Sequence, residues 1–168
     1  MCKVSIIIPI YNTANYIEKC AISLFEQTLQ DIEFLFINDC TQDNSIDILQ
    51  ATLNRYPNRI SQTRIINMPK NSGVATVRKY GISIASGEYI ANCDSDDFIS
   101  RDMYNTMYEY ASLNNCDIVR CKFARCYDNT YSECYNIPLV NYSDKNKYIS
   151  CLLSECDLNS LCDKIVIK

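Results

Sequence analysis

Histidine is absent from this 168-residue sequence, and glycine occurs only three times. No cysteine pair has the C-x-x-C spacing, although eleven cysteines are present. Without histidine or that spacing, the usual zinc-site pattern is missing. Cys116, Cys121 and Cys126 recur at an interval that fits neither helix nor strand. The cysteines therefore read as free thiols acting as small apolar residues in a reducing compartment. Nowhere does an apolar stretch approach the roughly 20 residues that span a bilayer. The opening "MCKVSIIIPIY" has one lysine, a short apolar run and an internal proline, which is not a signal peptide. The expectation is a soluble, cytoplasmic protein without a transmembrane segment, a reading that leaves room for peripheral membrane association. Basic excess is lacking too: the net charge is -4 and the sequence pI is about 4.8. That argues against nucleic acid as a partner. There is no internal repeat and no low-complexity tract.

The composition does contain a core. Apolar residues make up 48% of the chain, enough for one globular domain. "KVSIIIPIY" (3–11) is continuous and β-branched, as expected of a strand buried on both faces. "NYIEKCAISLFEQ" (15–27) follows with an apolar helical face, and Asn15 with Glu18 reads as a capping box. "EFLFIND" (33–39) predicts a second buried strand and "SIDILQATLNRY" (45–56) a second helix. "TRIINM" (63–68) predicts a short strand. "VATVRKYGISIAS" (74–86) predicts a helix closed by Gly87 in the left-handed position after its end. "EYIANCD" (88–94) predicts the fourth strand. Alternation of this kind predicts an α/β, mostly parallel sheet with helices on both faces. Beyond residue 100 the pattern predicts a helix at 102–114, a strand at 117–127, an irregular connection at 128–142 and a helix at 145–156.

Parallel sheets bind ligands outside the carboxyl ends of their strands. Asn12 and Thr13, Asp39 to Asp43, and Asp94 to Asp97 all fall at such ends, so three polar clusters should converge on one crevice. "CDSDDF" crowds Asp94, Asp96 and Asp97. Hard oxygen ligands of this kind suit Mg²⁺ or Mn²⁺, which would relieve their repulsion. The competing reading is a solvated loop in which Asp97 caps the next helix. An EF-hand is excluded because its sixth loop position, here Ile99, requires glycine. Asp39 can accept hydrogen bonds from a base or ribose, whereas Asp43, Asn44 and Ser45 read as a turn and helix cap. Gly73 allows a tight turn or a close approach to a ligand, and Gly81 packs a helix closely on the sheet. Arg78 can reach a phosphate or fix the aspartate loop by a bidentate pair; the alternative is a surface helix charge.

Taken together, these segments resemble family 2 glycosyltransferases of the GT-A fold. "VSIIIPIYN" resembles the family's opening strand with its P-x-Y-N. "QTLQDIEFLFINDCTQDNS" resembles Q-T…E-x-x-x-V-N-D-G-S-x-D-x-S. "NSGVATVRKYGISIASGEYI" resembles N-x-G-x-x-x-A-R-N-x-G…A-x-G-x-Y-I, and "CDSDDF" resembles the L-D-S-D-D metal (D-x-D) motif. The likeness covers about residues 3–100. It implies a single domain whose residues 1–100 bind a nucleotide sugar and whose residues 101–168 begin the acceptor side. Pro9, Tyr11, Asn12, Asp39, Asn71, Gly73, Arg78, Asp94 and Ser95 would then contact the donor, with Tyr11 and Asn12 bordering the base. Asp96, with Asp94, would hold Mn²⁺ or Mg²⁺ against the diphosphate. The implied reaction is inverting transfer from a UDP-sugar to a saccharide or lipid-linked acceptor, in polysaccharide biosynthesis.

Departures from the pattern are Cys40 and Thr41 for Gly-Ser, Lys79 for Asn, and Cys93 for Leu. Family members carry the general base in a Glu-Asp motif, and this sequence has no Glu-Asp pair. The expectation is that the chain stops short of its base, so no catalytic residue is assigned. A second expectation is a nucleotide-sugar binding module without turnover. A third, a metal-dependent phosphatase, needs an aspartate at the end of the first strand, where Ile10-Tyr11-Asn12 stands instead.

Overall fold

The computed structural model describes residues 1–121, 123–127, 130–134 and 164–168. Four parallel strands form the body of a six-stranded sheet: β1 (Val4–Ile10), β2 (Ile32–Asn38), β3 (Thr63–Asn67) and β4 (Tyr89–Asn92). Two more, β5 (Ile118–Arg120) and β8 (Lys164–Ile167), complete the order β3-β2-β1-β4-β8-β5. β8 runs antiparallel to both of its neighbours. A separate hairpin joins β6 (Phe123–Tyr127) and β7 (Thr130–Cys134).

The expected strand at 117–127 is therefore two strands in two sheets. Part of the expected irregular connection is β7. The expected helix at 145–156 lies outside the described residues.

Strand alternation sorts the core onto two faces. Ile6, Ile8, Ile10, Phe34 and Phe36 face helices α1 (Ile17–Phe25), α2 (Ser45–Leu53) and α4 (Met103–Asn114). Ile7, Leu35, Ile37 and Ile90 face α3 (Val74–Ile84) through Val77 and Ala85. β1 is buried along almost its whole length, which explains its unbroken apolar run. Gly81 packs α3 tightly onto the sheet as expected: a Cβ there would lie 2.5 Å from Ile7 Cγ2.

Two local expectations are corrected. α1 has Tyr16 at its N-cap and no side-chain capping bond, so the Asn15–Glu18 box does not form. The Thr13 carbonyl accepts the Tyr16 and Ile17 N–H groups instead, and Glu18 pairs with Arg55 at 3.0 Å. Nor does Gly87 close α3 in a left-handed cap. α3 ends at Ile84 with extended Ala85 as its cap. What Gly87 supplies is proximity: its N–H donates to Ser5 Oγ at 2.8 Å, and a Cβ would sit 2.5 Å from the Ser5 nitrogen.

Cys2, Cys20, Cys40 and Cys116 are free thiols, and Cys20 and Cys93 are buried. Among the described residues, no helix is long and apolar enough to cross a membrane.

Candidate functional site

The carboxyl ends of β1, β2 and β4 and the start of α3 enclose a pocket of about 310 Å³. Pro9, Tyr11, Asp39, Asn71, Gly73, Asp94, Ser95 and Asp96 all line it, together with Ile10, Thr13, Val74 and Val77. The convergence expected of a parallel sheet is present in this chain.

Each wall has a local cause. After β1 the chain turns through Asn12, whose φ is 54°. The Asn12 N–H donates to Thr41 Oγ1 at 2.7 Å, and Asn12 Oδ1 accepts from the Gln42 N–H. Asn12 thus ties the β1 loop to the β2 loop from outside the pocket lining. Asp43 ties the same two loops. Its carboxylate accepts from Ser45 Oγ at 2.6 Å, Thr41 Oγ1 at 2.7 Å and the Ala14 N–H at 2.9 Å. Partial burial raises its pKa, but the bonds from Ser45, Thr41 and Ala14 outweigh that and lower it to about 2. The turn expected of Asp43, Asn44 and Ser45 is observed, with Asp43 Oδ1 accepting the Ser45 N–H at 3.1 Å, but Asn44, the N-cap of α2, makes no side-chain capping bond.

Asp39 is 3% exposed. Its two oxygens accept the Ser72 and Gly73 N–H groups at 2.8 and 2.9 Å. It therefore holds the turn that opens α3, where Gly73 has φ 79°, a conformation that costs glycine least. Each oxygen keeps lone-pair capacity toward the pocket.

At the β4 end, Arg78 Nη2 donates to Asp94 Oδ1 at 2.5 Å. The contact uses one guanidinium nitrogen, not the bidentate pair expected, but it does tie α3 to the aspartate loop. The Asp97 N–H donates to the Asp94 carbonyl at 3.0 Å, closing a turn. Asp97 does not line the pocket, and the N-cap of α4 is Asp102, so neither expected role of Asp97 is observed. Asp94 and Asp96 remain facing the pocket.

Among the described residues, no three acidic or thiol side chains form a cation cage by themselves. Two carboxylates at a pocket edge instead suit Mg²⁺ or Mn²⁺, which commonly take one or two carboxylates plus substrate phosphates. Two buried polar atoms add capacity: Thr13 Oγ1 and Arg78 Nε have no hydrogen-bond partner in the described structure.

Sequence reasoning named Thr13 as part of a polar cluster but not as pocket lining. It missed Ile10, Val74 and Val77. For the valines a signal existed, since Val74 and Val77 lie one turn apart on the helix that carries Arg78.

The order of strands, the pocket at their carboxyl ends and the acidic loop after β4 are those of the GT-A class. The sequence matches the Glycosyl transferase family 2 model over residues 5–155, and the chain belongs to that family. It is 42% identical over 120 residues to "Uncharacterized glycosyltransferase EpsJ" of Bacillus subtilis (strain 168), covering 71% of this chain and 33% of that protein. Two solved structures share the fold. S. aureus TarS 1-349 in complex with UDP has a TM-score of 0.67 at 22% identity, covering 84% of this chain and 40% of that one. Mannosyltransferase PcManGT from Pyrobaculum calidifontis, in complex with GDP-Man and Mn²⁺, has a TM-score of 0.64 at 20% identity, covering 71% and 35%. The chain thus spans about a third of the length of the EpsJ relative.

Proposed function

We propose that this chain forms the donor side of an inverting glycosyltransferase that uses a nucleoside diphosphate sugar, with UDP-sugar as the first candidate. The observation that carries this reading is the juxtaposition of Asp94, Asp96 and the Asp39-held turn around one pocket, with Arg78 behind them. UDP in TarS and GDP-Man with Mn²⁺ in PcManGT support it by analogy of fold.

In this reading Tyr11, half-exposed at the pocket rim, borders the base with Pro9 and Asn12. Asp39 and the Asn71–Gly73 turn take the nucleoside, and Asp94 and Ser95 take the ribose side. Asp96, with Asp94, would hold Mn²⁺ or Mg²⁺. That cation would offset the charge developing on the departing diphosphate. Arg78 keeps the aspartate loop in register and adds positive charge behind it. The acceptor, a saccharide or lipid-linked hydroxyl, attacks the anomeric carbon in a single displacement once its proton is taken by a base. No residue of this chain is assigned as that base. Residues 1–100 carry the donor contacts in this scheme, and 101–168 begin the acceptor side of the same domain. A cytoplasmic location, peripheral attachment to a membrane and a part in polysaccharide biosynthesis belong to the same reading.

A non-catalytic nucleotide-sugar binding module is the second reading, since the pocket described above provides donor contacts without a base. Calorimetric titration of UDP with and without Mn²⁺, on wild type and Asp96→Asn, tests the donor site. Expected is Mn²⁺-dependent binding that Asp96→Asn abolishes. Binding indifferent to both metal and substitution would refute the assignment. Turnover of UDP-sugars with acceptor then separates enzyme from module.

A further inference from the structure

The acidic edge of the pocket belongs to a stretch that runs along α1. The Cys20 thiol donates to the Asp94 carbonyl at 3.7 Å. Lys19 Nζ sits 3.4 Å from the Phe98 ring centroid. One turn further, the Ile99 N–H donates to Ser23 Oγ at 3.2 Å. Past the end of α1, the Thr28 N–H donates to the Arg101 carbonyl at 3.0 Å. α1 therefore acts as a rail for residues 94–101.

Gln27 closes the far end of that rail. It is 1% exposed, far more buried than glutamine usually is. Its Nε2 donates to the Ser23 carbonyl at 3.1 Å and to the Ser100 carbonyl at 2.7 Å. Its Oε1 accepts the Tyr104 N–H at 3.2 Å. Two donors and one acceptor are satisfied at once, which a carboxamide can do and neither a carboxylate nor an apolar side chain can. Its own carbonyl is held by the buried Arg59 guanidinium, which also binds the Phe25 and Leu29 carbonyls. At the other end, Arg78 fixes Asp94. The loop is thus pinned on both sides of Asp96.

We propose that Gln27 is a positioning residue for the donor site: its carboxamide fixes the Ser100–Tyr104 end of the loop that presents Asp94 and Asp96 to the nucleotide diphosphate. This rests on the donor-site reading above. Gln27 does not line the pocket; it acts on Asp96 through the loop that it holds at Ser100 and Tyr104, so its effect should be selective. Small misplacements at a site of this kind cost large factors in affinity.

The test compares wild type, Gln27→Met and the control Leu53→Ala. Leu53 is buried on α2, does not line the pocket, and its truncation destabilises without touching the loop. UDP binding in the presence of Mn²⁺ is measured by calorimetry, and amide hydrogen exchange is followed in residues 95–100. Gln27→Met is expected to bind about tenfold or more weakly and to exchange faster in 95–100. Leu53→Ala should keep wild-type affinity within about twofold and keep protection there. Wild-type affinity in Gln27→Met, or equal loss in both variants, would overturn the proposal. If wild type binds no nucleoside diphosphate, the donor reading fails instead. Exchange then decides the role of Gln27: unchanged protection in 95–100 overturns it, and a selective loss supports it.

Discussion

Arg78 and Asp94 meet at 2.5 Å, Nη2 to Oδ1, and so join the first turns of α3 to the end of β4. The arginine side chain is 20% exposed and the aspartate 39%, so the pair is screened from water on one side only. Its larger effect is expected on geometry, because partly exposed ion pairs add little to stability.

Arg78→Ala is therefore expected to leave the unfolding midpoint close to wild type and to weaken UDP binding by about 10- to 100-fold. That range is the order of loss expected when a contact that positions a site is removed and its groups shift out of place. Arg78→Lys should recover only part of the loss, because an ammonium cannot reproduce the guanidinium fork. Calorimetric titration in Mn²⁺ gives the affinities and thermal melts give the stability. A large fall in melting temperature with unchanged affinity would contradict this division of labour.

Cys40 stands where the N-D-G-S motif that this segment resembles has glycine, and its φ is 59°. A left-handed conformation costs a side-chain-bearing residue about 1–2 kcal/mol. Glycine removes that strain but loses about 0.5–1 kcal/mol through the freedom of its unfolded state. Cys40→Gly also gives up the weak thiol contact to the Met68 carbonyl at 3.2 Å. The balance favours glycine, and Cys40→Gly is expected to raise stability by about 0.5–1 kcal/mol in urea unfolding. A loss of stability would mean that the thiol contact outweighs the strain.

Asp43 contributes to the acid limb, as does Glu33, whose pKa is also lowered by bonds from Ser5, Ser86 and Arg64 that outweigh its burial. The folded pKa of Asp43 is about 2, below the ordinary value of about 3.9. A depressed carboxylate stabilises the fold above its unfolded pKa and loses that contribution as protons return. The contribution should thus be complete above pH of about 4 and should fade between about 4 and 2. Asp43→Asn is expected to be less stable than wild type at neutral pH and to close that gap as pH falls through this window. Urea melts from pH 7 to pH 2 would reveal it; a gap that stays constant across the window would contradict the assignment.

β1, β2 and β4 were legible because burial on both faces leaves largely apolar runs; β3, TRIIN, has no fully buried residue and was legible only as a short strand between two helices. The pocket was legible for the same reason, since the ends of such runs locate it. What the sequence hid was set by distant partners. Asn15 and Glu18 have the spacing of a capping box, yet Thr13 takes the first N–H groups of α1. Thr13 is itself held by Ser45, 32 residues away, through its N–H. Gly87 looked like a helix cap because it follows a helix, whereas its constraint is Ser5 on another strand. Arg59 gave no signal in the sequence, yet it is buried under the turn that follows α1. In each case the deciding contact was one that sequence distance concealed.

β8 has a consequence of another kind. Residues 164–167 lie between β4 and β5, and β4 finds its second neighbour only there: Ile90 opposes Val166 and Ala91 opposes Ile165. Until that segment arrives, the strand beneath Asp94 has one bare edge, and bare edges recruit other chains. Closing a loop of this length is also entropically costly and kinetically slow. The strand that leads into the acidic loop thus completes its pairing only once a segment far along the chain has folded back onto it.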